Sequence, residues 1–212
     1  MKIGIIGSGK FGQALEKVFS LKHNVQMYDT EAQDLGVNFV PKLIIIAIPS
    51  TAKINNTNAN LFYIKKFFKS KIIIASKGTH TLNLFTQKLS PEMQQRVFML
   101  SGPNIASELG KTPSAAVLAG NKIDEVRTLC RKLSSSLFFL EPSVLPKATA
   151  AAGAVKNFLV FCLGYLKKQC KTPSEQIQLT LYALNAGLSV VTQAEVSNLI
   201  SLSHSQIGRA HV

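Results

Sequence analysis

Cysteine is scarce in this 212-residue chain: Cys130, Cys162 and Cys170 are the whole complement, and no two are spaced as C-x-x-C. An odd set without that spacing argues against a disulfide framework or a zinc site and fits a reducing cytosol. Cys130 and Cys162 read as small buried hydrophobes. An export signal is lacking as well, because the first residues already read as a strand of the fold, with no separate apolar segment and cleavage site. Acidic residues are few, 11 against 24 Lys and Arg, giving a formal charge of +13 and a pI near 9.8. That balance favours anionic partners in general. No basic zipper, RNP-type strand or zinc finger accompanies it, so nucleic acid is not an expected partner. The lysines at Lys65, Lys66, Lys69 and Lys71, and at Lys167, Lys168 and Lys171, read as solvated helix faces and ends. One apolar stretch, Ala148 to Leu166, carries Lys156 and Asn157 near its middle, where lipid makes a charge costly. A buried helix with a functional lysine is expected there, not a membrane span. No internal repeat is visible.

What is present begins with hydrophobic residues at 46%, enough for a sizeable core. Ile3 to Ile6 read as a short buried strand, followed at once by Gly7-Ser8-Gly9-Lys10-Phe11-Gly12, a helix-patterned run to Phe19, a second strand from Val25 to Tyr28, and Asp29. Each part has a physical task in binding a dinucleotide. Gly7 makes the tight turn, Gly9 lets the backbone approach a pyrophosphate, and Gly12 lets helix and strand pack closely. The helix start offers unpaired N–H groups to phosphate. Asp29, about 20 residues past the glycines, is placed to accept hydrogen bonds from an adenosine ribose, and its charge favours NAD over NADP.

The runs Leu43 to Ile48 and Ile72 to Ala75 are continuously apolar, as in strands covered on both faces. Leu61 to Phe68 is apolar enough to pack on the sheet. Further strands are expected at Val97 to Leu100, Ala115 to Ala119 and Leu137 to Leu140, with a helix from Asp124 to Leu133. This alternation predicts an α/β fold, a Rossmann-type doubly wound and mostly parallel sheet. Helical periodicity takes over after Pro146, so a dinucleotide-binding domain is expected over 1–145 and an incomplete all-helical domain over 146–206. Thr172-Pro173-Ser174-Glu175 is a helix start.

Three further motifs put polar groups beside the expected crevice. Ser76-Lys77-Gly78 and Ser101-Gly102-Pro103-Asn104 each follow an apolar strand, and Gly153-Ala154-Val155-Lys156-Asn157 lies in an apolar helix. Two lysines and a donor-rich turn beside a glycine loop describe a site for an anionic carbonyl substrate. GSGKFG, AIPS, ASKG, LSGPNIASE and GAVKN, in this order, resemble the bacterial NAD(P)-dependent glycerol-3-phosphate dehydrogenases, from Met1 to about Leu202.

The resemblance implies reversible hydride transfer between a nicotinamide and glycerol 3-phosphate or dihydroxyacetone phosphate, with NAD as cofactor and NADP as the alternative. It implies that Lys10 and Phe11 lie in the phosphate loop, that Lys77 touches cofactor and substrate, and that Ala106 lies on the cofactor side. Gly102 and Asn104 would line the substrate pocket, with Asn104 where the family normally has Ser or Thr. Lys156 matches the family's proton-transferring lysine. A phosphorylated small-molecule substrate, a cytoplasmic location, no membrane and a homodimer of the full-length protein are also implied. The family's later G-L-G-D and Ser-Arg-Asn segments, which hold the substrate backbone and phosphate, have no counterpart. Residues 207–212 match a translated sequencing adapter and are expected to be a non-native tail. The alternatives are an oxo-acid reductase resembling ketopantoate reductase, a non-catalytic NAD-binding protein, and, last, a basic nucleic-acid module.

Overall fold

The fold is described from a computed structural model, in which residues 1–28, 39–49, 69–76, 82–83, 87–102, 106–169 and 172–189 are placed. Seven strands form one sheet: β1 (Lys2–Ile6), β2 (Asn24–Tyr28), β3 (Leu43–Ile46), β4 (Lys71–Ile74), β5 (Val97–Ser101), β6 (Ser114–Ala119) and β7 (Phe138–Ser143). Their order is β2-β1-β3-β4-β5-β6-β7. Every pairing is parallel except β5 with β6. The described helices are α1 (Lys10–Phe19), α2 (Pro91–Gln94), α3 (Ile123–Leu133), α4 (Pro146–Gln169) and α5 (Pro173–Ser189). The chain leaves β1 toward β2 on one side and returns to β3 on the other. That change of direction opens a crevice outside the carboxyl ends of β1 and β3.

The apolar runs are explained by burial on both sheet faces. Side chains alternate along a strand. Ile3, Ile5, Leu43, Ile45, Ile73, Phe98 and Leu100 meet Leu15, Val18 and Phe19 of α1 and Val126, Leu129 and Leu133 of α3. Ile6, Ile44, Ile46, Ile72, Ile74, Val97 and Met99 form a second layer with Leu82, Leu89 and Ala150 of α4. Burying one such side chain on each face contributes about 1.5–3 kcal/mol apiece, which is why these strands tolerate no polar alternation. Phe19 and Phe138 meet edge to face at 5.9 Å, joining α1 to the far strand β7. Cys130 is buried in this layer, and burial pushes its thiol up to about 11, which makes it inert at neutral pH.

The first turns of α4 carry Ala148, Thr149, Ala150, Ala152 and Val155, all buried. Small side chains let this helix lie close on the sheet. The expectation of a helix buried throughout holds only for that half. Val160, Phe161 and Tyr165 further along α4 are exposed, as are Ile177, Leu181 and Tyr182 on α5. The helix runs past the rim of the sheet, and burial ends where the sheet does. Cys162, expected to be buried, is accordingly only half-buried. No helix among the described residues is long and apolar enough to cross a membrane. α5 starts as expected, with the Glu175 N–H donating to Thr172 Oγ1 at 3.2 Å. The element expected at 35–40 and that at 61–68 lie largely or wholly outside the described residues. The short helix α2, begun by Ser90 as cap and Pro91 at its first position, was not anticipated.

A polar clamp lies at the amino ends of the strands, opposite the crevice. Lys71, at the start of β4, pairs with Glu125 of α3, and Lys122 lies 3.8 Å from the same carboxylate. The hydrogen bond from Lys71, strengthened by charge, holds the Glu125 carboxyl below its ordinary value of 4.5 against the opposing effect of burial. A depressed carboxyl stabilises the fold above its unfolded value and loses that contribution as pH falls through the folded one. Glu125→Gln is therefore expected to cost about 0.5–1 kcal/mol at pH 7, a modest value because both side chains are about a third exposed. Urea denaturation checks it: the gap from the unaltered chain should narrow as pH drops below 4.5 and close once the folded carboxyl is itself protonated.

Candidate functional site

The crevice is built by backbone contacts among three strand ends. The Ala47 N–H donates to Ile6 O at 2.8 Å and the Ala75 N–H to Ile46 O at 2.8 Å, so pairing continues one residue past β1, β3 and β4. Beyond it, Gly7 turns with φ of +112°, a conformation that side chains disfavour. Its N–H donates to Tyr28 O at 2.9 Å, which ties the turn to the end of β2. A Cβ on Gly7 would lie 2.7 Å from Ala47 O, so the turn also presses on the end of β3. Ser76 is buried and its hydroxyl donates to Ile48 O at 2.6 Å, pinning the residue before Lys77 to the neighbouring strand end. The sequence motif held this serine, but its part in closing the crevice was not read there.

The glycine loop then divides its tasks among its glycines. A Cβ on Gly12 would stand 1.9 Å from Gly7 O and 3.4 Å from Met27 Cε, so α1 can touch the β1 turn only without a side chain here. Gly9 is the reverse case. A Cβ there would meet none of the described residues within 4 Å, and the residue is exposed in an extended conformation, φ −65° and ψ 171°. Gly9 thus leaves free volume directly over the start of α1, a cradle that a side chain would fill. Among the described residues no side chain caps that helix, and its first turn holds no acidic residue. Its first N–H groups have no intrahelical acceptor and lie at the positive end of the helix dipole. Gln13 Nε2 donates to Ser8 O at 2.8 Å and steadies the loop from the helix. An open, uncapped helix start beneath a glycine turn suits a diphosphate.

The remaining expected residues are distributed as follows. Lys10 is exposed at the first helical position and Phe11 is half-buried against the α1 layer, as is Ala106. Gly102 follows β5, and a Cβ on it would fall 2.8 Å from Ala116 Cα, so the chain leaving β5 passes directly over β6. Lys156 lies on α4, one turn beyond Gly153, and its side chain is outside the described set. Asp29, Lys77 and Asn104 also lie outside the described residues. Among the described residues no group of His, Cys, Asp and Glu could hold a metal ion.

The two glycines predict opposite stability effects. Gly12→Ala must push α1 off the turn and is expected to cost about 3 kcal/mol. Gly9→Ala has room and an ordinary φ, so its cost is expected to stay within about 1 kcal/mol, that of a poorer cap. Thermal denaturation of the two variants side by side checks the contrast; equal losses would contradict it.

Comparison with known proteins agrees with this arrangement. Residues 38–126 match the family described as NAD-dependent glycerol-3-phosphate dehydrogenase N-terminus. A glycerol-3-phosphate dehydrogenase of the NAD(P)+ type from Synechococcus sp. (strain RCC307) is 28% identical over 216 residues, covering 99% of this chain and 66% of the relative. One from Campylobacter lari is 31% identical over 179 residues, covering 77% of this chain and 56% of the relative. The chain therefore spans less than two thirds of the length of these relatives. Among solved structures, glycerol-3-phosphate dehydrogenase from Plasmodium falciparum superposes with a TM-score of 0.70 at 19% identity, over 89% of this chain and 65% of that one. The enzyme from Coxiella burnetii gives 0.66 at 20% identity, over 93% and 72%. An imine reductase from Bacillus cereus gives 0.56 at 14%, over 90% and 74%. At these identities the structures speak for the fold alone, and the glycine-loop sheet is shared beyond one activity. The sequence relatives are narrower: those that match this chain are glycerol-3-phosphate dehydrogenases of the NAD(P)+ type, and it is to that family that the chain is similar.

Proposed function

We propose that this chain binds NAD(H) at the β1 turn, with NADP as the weaker alternative, and that the protein interconverts glycerol 3-phosphate and dihydroxyacetone phosphate. The observation that carries the reading is the free volume over Gly9 at an uncapped helix start, where a diphosphate fits and a side chain would compete for the same space. Gly7, Gly9, Lys10, Phe11 and Gly12 would hold the pyrophosphate, Asp29 the ribose, and Ala106 the cofactor's flank. Hydride transfer is the chemistry that the nicotinamide supplies when bound.

The chain's own part is to bind, orient and move a proton. Gly102 and Asn104 would line the substrate side, and Lys77 would set positive charge near the substrate carbonyl. Lys156 would stabilise the developing alkoxide in the reducing direction and deliver its proton. Asp29 opposes a 2′-phosphate by charge, which is the reason NAD is preferred. A reducing, cytoplasmic setting agrees with free Cys130 and Cys162. A homodimer is part of the same proposal.

Calorimetric titration with NADH tests the reading. Binding is expected, weaker by at least about tenfold for Gly9→Ala in line with a steric block, and weaker for NADPH than NADH. A folded chain that gives no heat with either coenzyme would overturn it. For the chemistry, this chain without the substrate-phosphate segments is expected to turn over little, and in a full-length version Lys156→Ala is expected to lower the reduction of dihydroxyacetone phosphate by about 10²–10⁴-fold while NADH affinity changes little. Unchanged turnover in that variant would remove Lys156 from the mechanism.

A further inference from the structure

The site proposed above needs a group from a helix to reach a sheet edge, and one contact governs how near that helix comes. α4 packs against β5, and at the crossing a Cβ built on Gly153 would lie 2.5 Å from Ser101 Oγ but 3.7 Å from Ser101 Cβ. The first distance is an overlap and the second is ordinary contact. Among the described residues, the obstacle to a methyl group at Gly153 is thus the serine hydroxyl. Ser101 is the last residue of β5, so the contact falls at the carboxyl end of the strand, on the crevice side. Gly102, next in the chain, is already pressed on Ala116, which prevents the end of β5 from yielding in that direction. Before the crossing, Ala148, Thr149 and Ala150 are buried, so α4 is held against the sheet on that side of the contact. Lys156 follows one turn further along the same helix, about 5 Å on by helix geometry.

We infer that Ser101 and Gly153 form a positioning pair, whose close contact sets the depth at which α4 lies over the crevice and thereby the reach of Lys156 toward a bound nicotinamide coenzyme. Neither residue needs to touch the coenzyme. A shift of the helix by about an ångström is enough to spoil a proton-transfer geometry, with losses on the order of 10²-fold. The inference rests on the proposed coenzyme reading and adds to it the residues that fix the distance between sheet and helix.

The test reads the lysine itself, not turnover. The chain is acylated with acetic anhydride with and without saturating NADH, and the modification at each lysine is followed by peptide mass spectrometry. In the unaltered chain NADH is expected to slow acylation at Lys156 about tenfold and to leave distant lysines unchanged. Gly153→Ala is expected to bind NADH within about threefold of normal, since the glycine loop is untouched, yet to lose that protection. Ser101→Ala combined with Gly153→Ala removes the hydroxyl and is expected to restore it. A purely structural role would alter the melting temperature without this reciprocal loss and recovery. Full protection in Gly153→Ala, or a folded double variant that stays unprotected, overturns the pair. Should Gly153→Ala not fold, recovery of a folded, protected chain in the double variant still identifies it, and failure of both overturns it. NADH binding without protection at Lys156 in the unaltered chain overturns this inference and leaves the glycine-loop reading standing, whereas no binding at all overturns the reading beneath it.

Discussion

The contact between Gly12 and the Gly7 carbonyl is the constraint from which the rest of the site follows. Helix α1 can lie against the turn of β1 only because Gly12 has no side chain, and the turn itself requires the positive φ of Gly7. Once these two are met, the direction of α1 is set, its amino end faces the crevice, and Gly9 is left over open space. A methyl group at Gly12 would tilt the helix and with it every N–H group at its start. The anion site is therefore made of main-chain geometry more than of side-chain chemistry, and it costs the protein nothing in buried charge.

The sheet supplies rigidity to that geometry. Two of the strand pairings continue into the crevice as backbone hydrogen bonds, the Ala47 N–H donating to Ile6 O and the Ala75 N–H to Ile46 O, so the loops begin from a level edge. Isoleucine-rich strands buried on both faces cannot slip by one residue without exchanging the α1–α3 layer for the α4 layer. The antiparallel pairing of β5 with β6 breaks the parallel run where α4 crosses. At that place Gly102 rests on the backbone of β6, and the helical half meets the sheet through Gly153 on Ser101. Electrostatic ties lie at the other end of the strands: Lys71 with Glu125 holds α3 near the strand starts, away from the crevice.

Much of this was legible from residue patterns. The glycine loop between strand and helix specified the β1–α1 turn because each glycine answers a steric demand that no other residue meets. Continuous apolar runs at Leu43–Ile46 and Ile72–Ile74 specified covered strands for the same kind of reason. The short helix at Pro91–Gln94 was missed since one turn carries no periodicity. The half-exposure of α4 was missed because hydropathy records what a segment could bury, not where its partner ends; Phe161 and Tyr165 are as apolar as their buried neighbours.

By itself the sequence determined the strand faces, the turn at Gly7, the seat of α1 at Gly12 and the list of lysines and donors in the motifs, because those depend on local sterics and on side-chain alternation. Only the tertiary structure decided that β6 runs against β5, that the Ser76 hydroxyl joins two strand ends, and that Gly153 stops on Ser101. These depend on distances between segments far apart in the chain, which local preference does not encode. Packing of whole layers sets them, and with them the place where the helix meets the crevice.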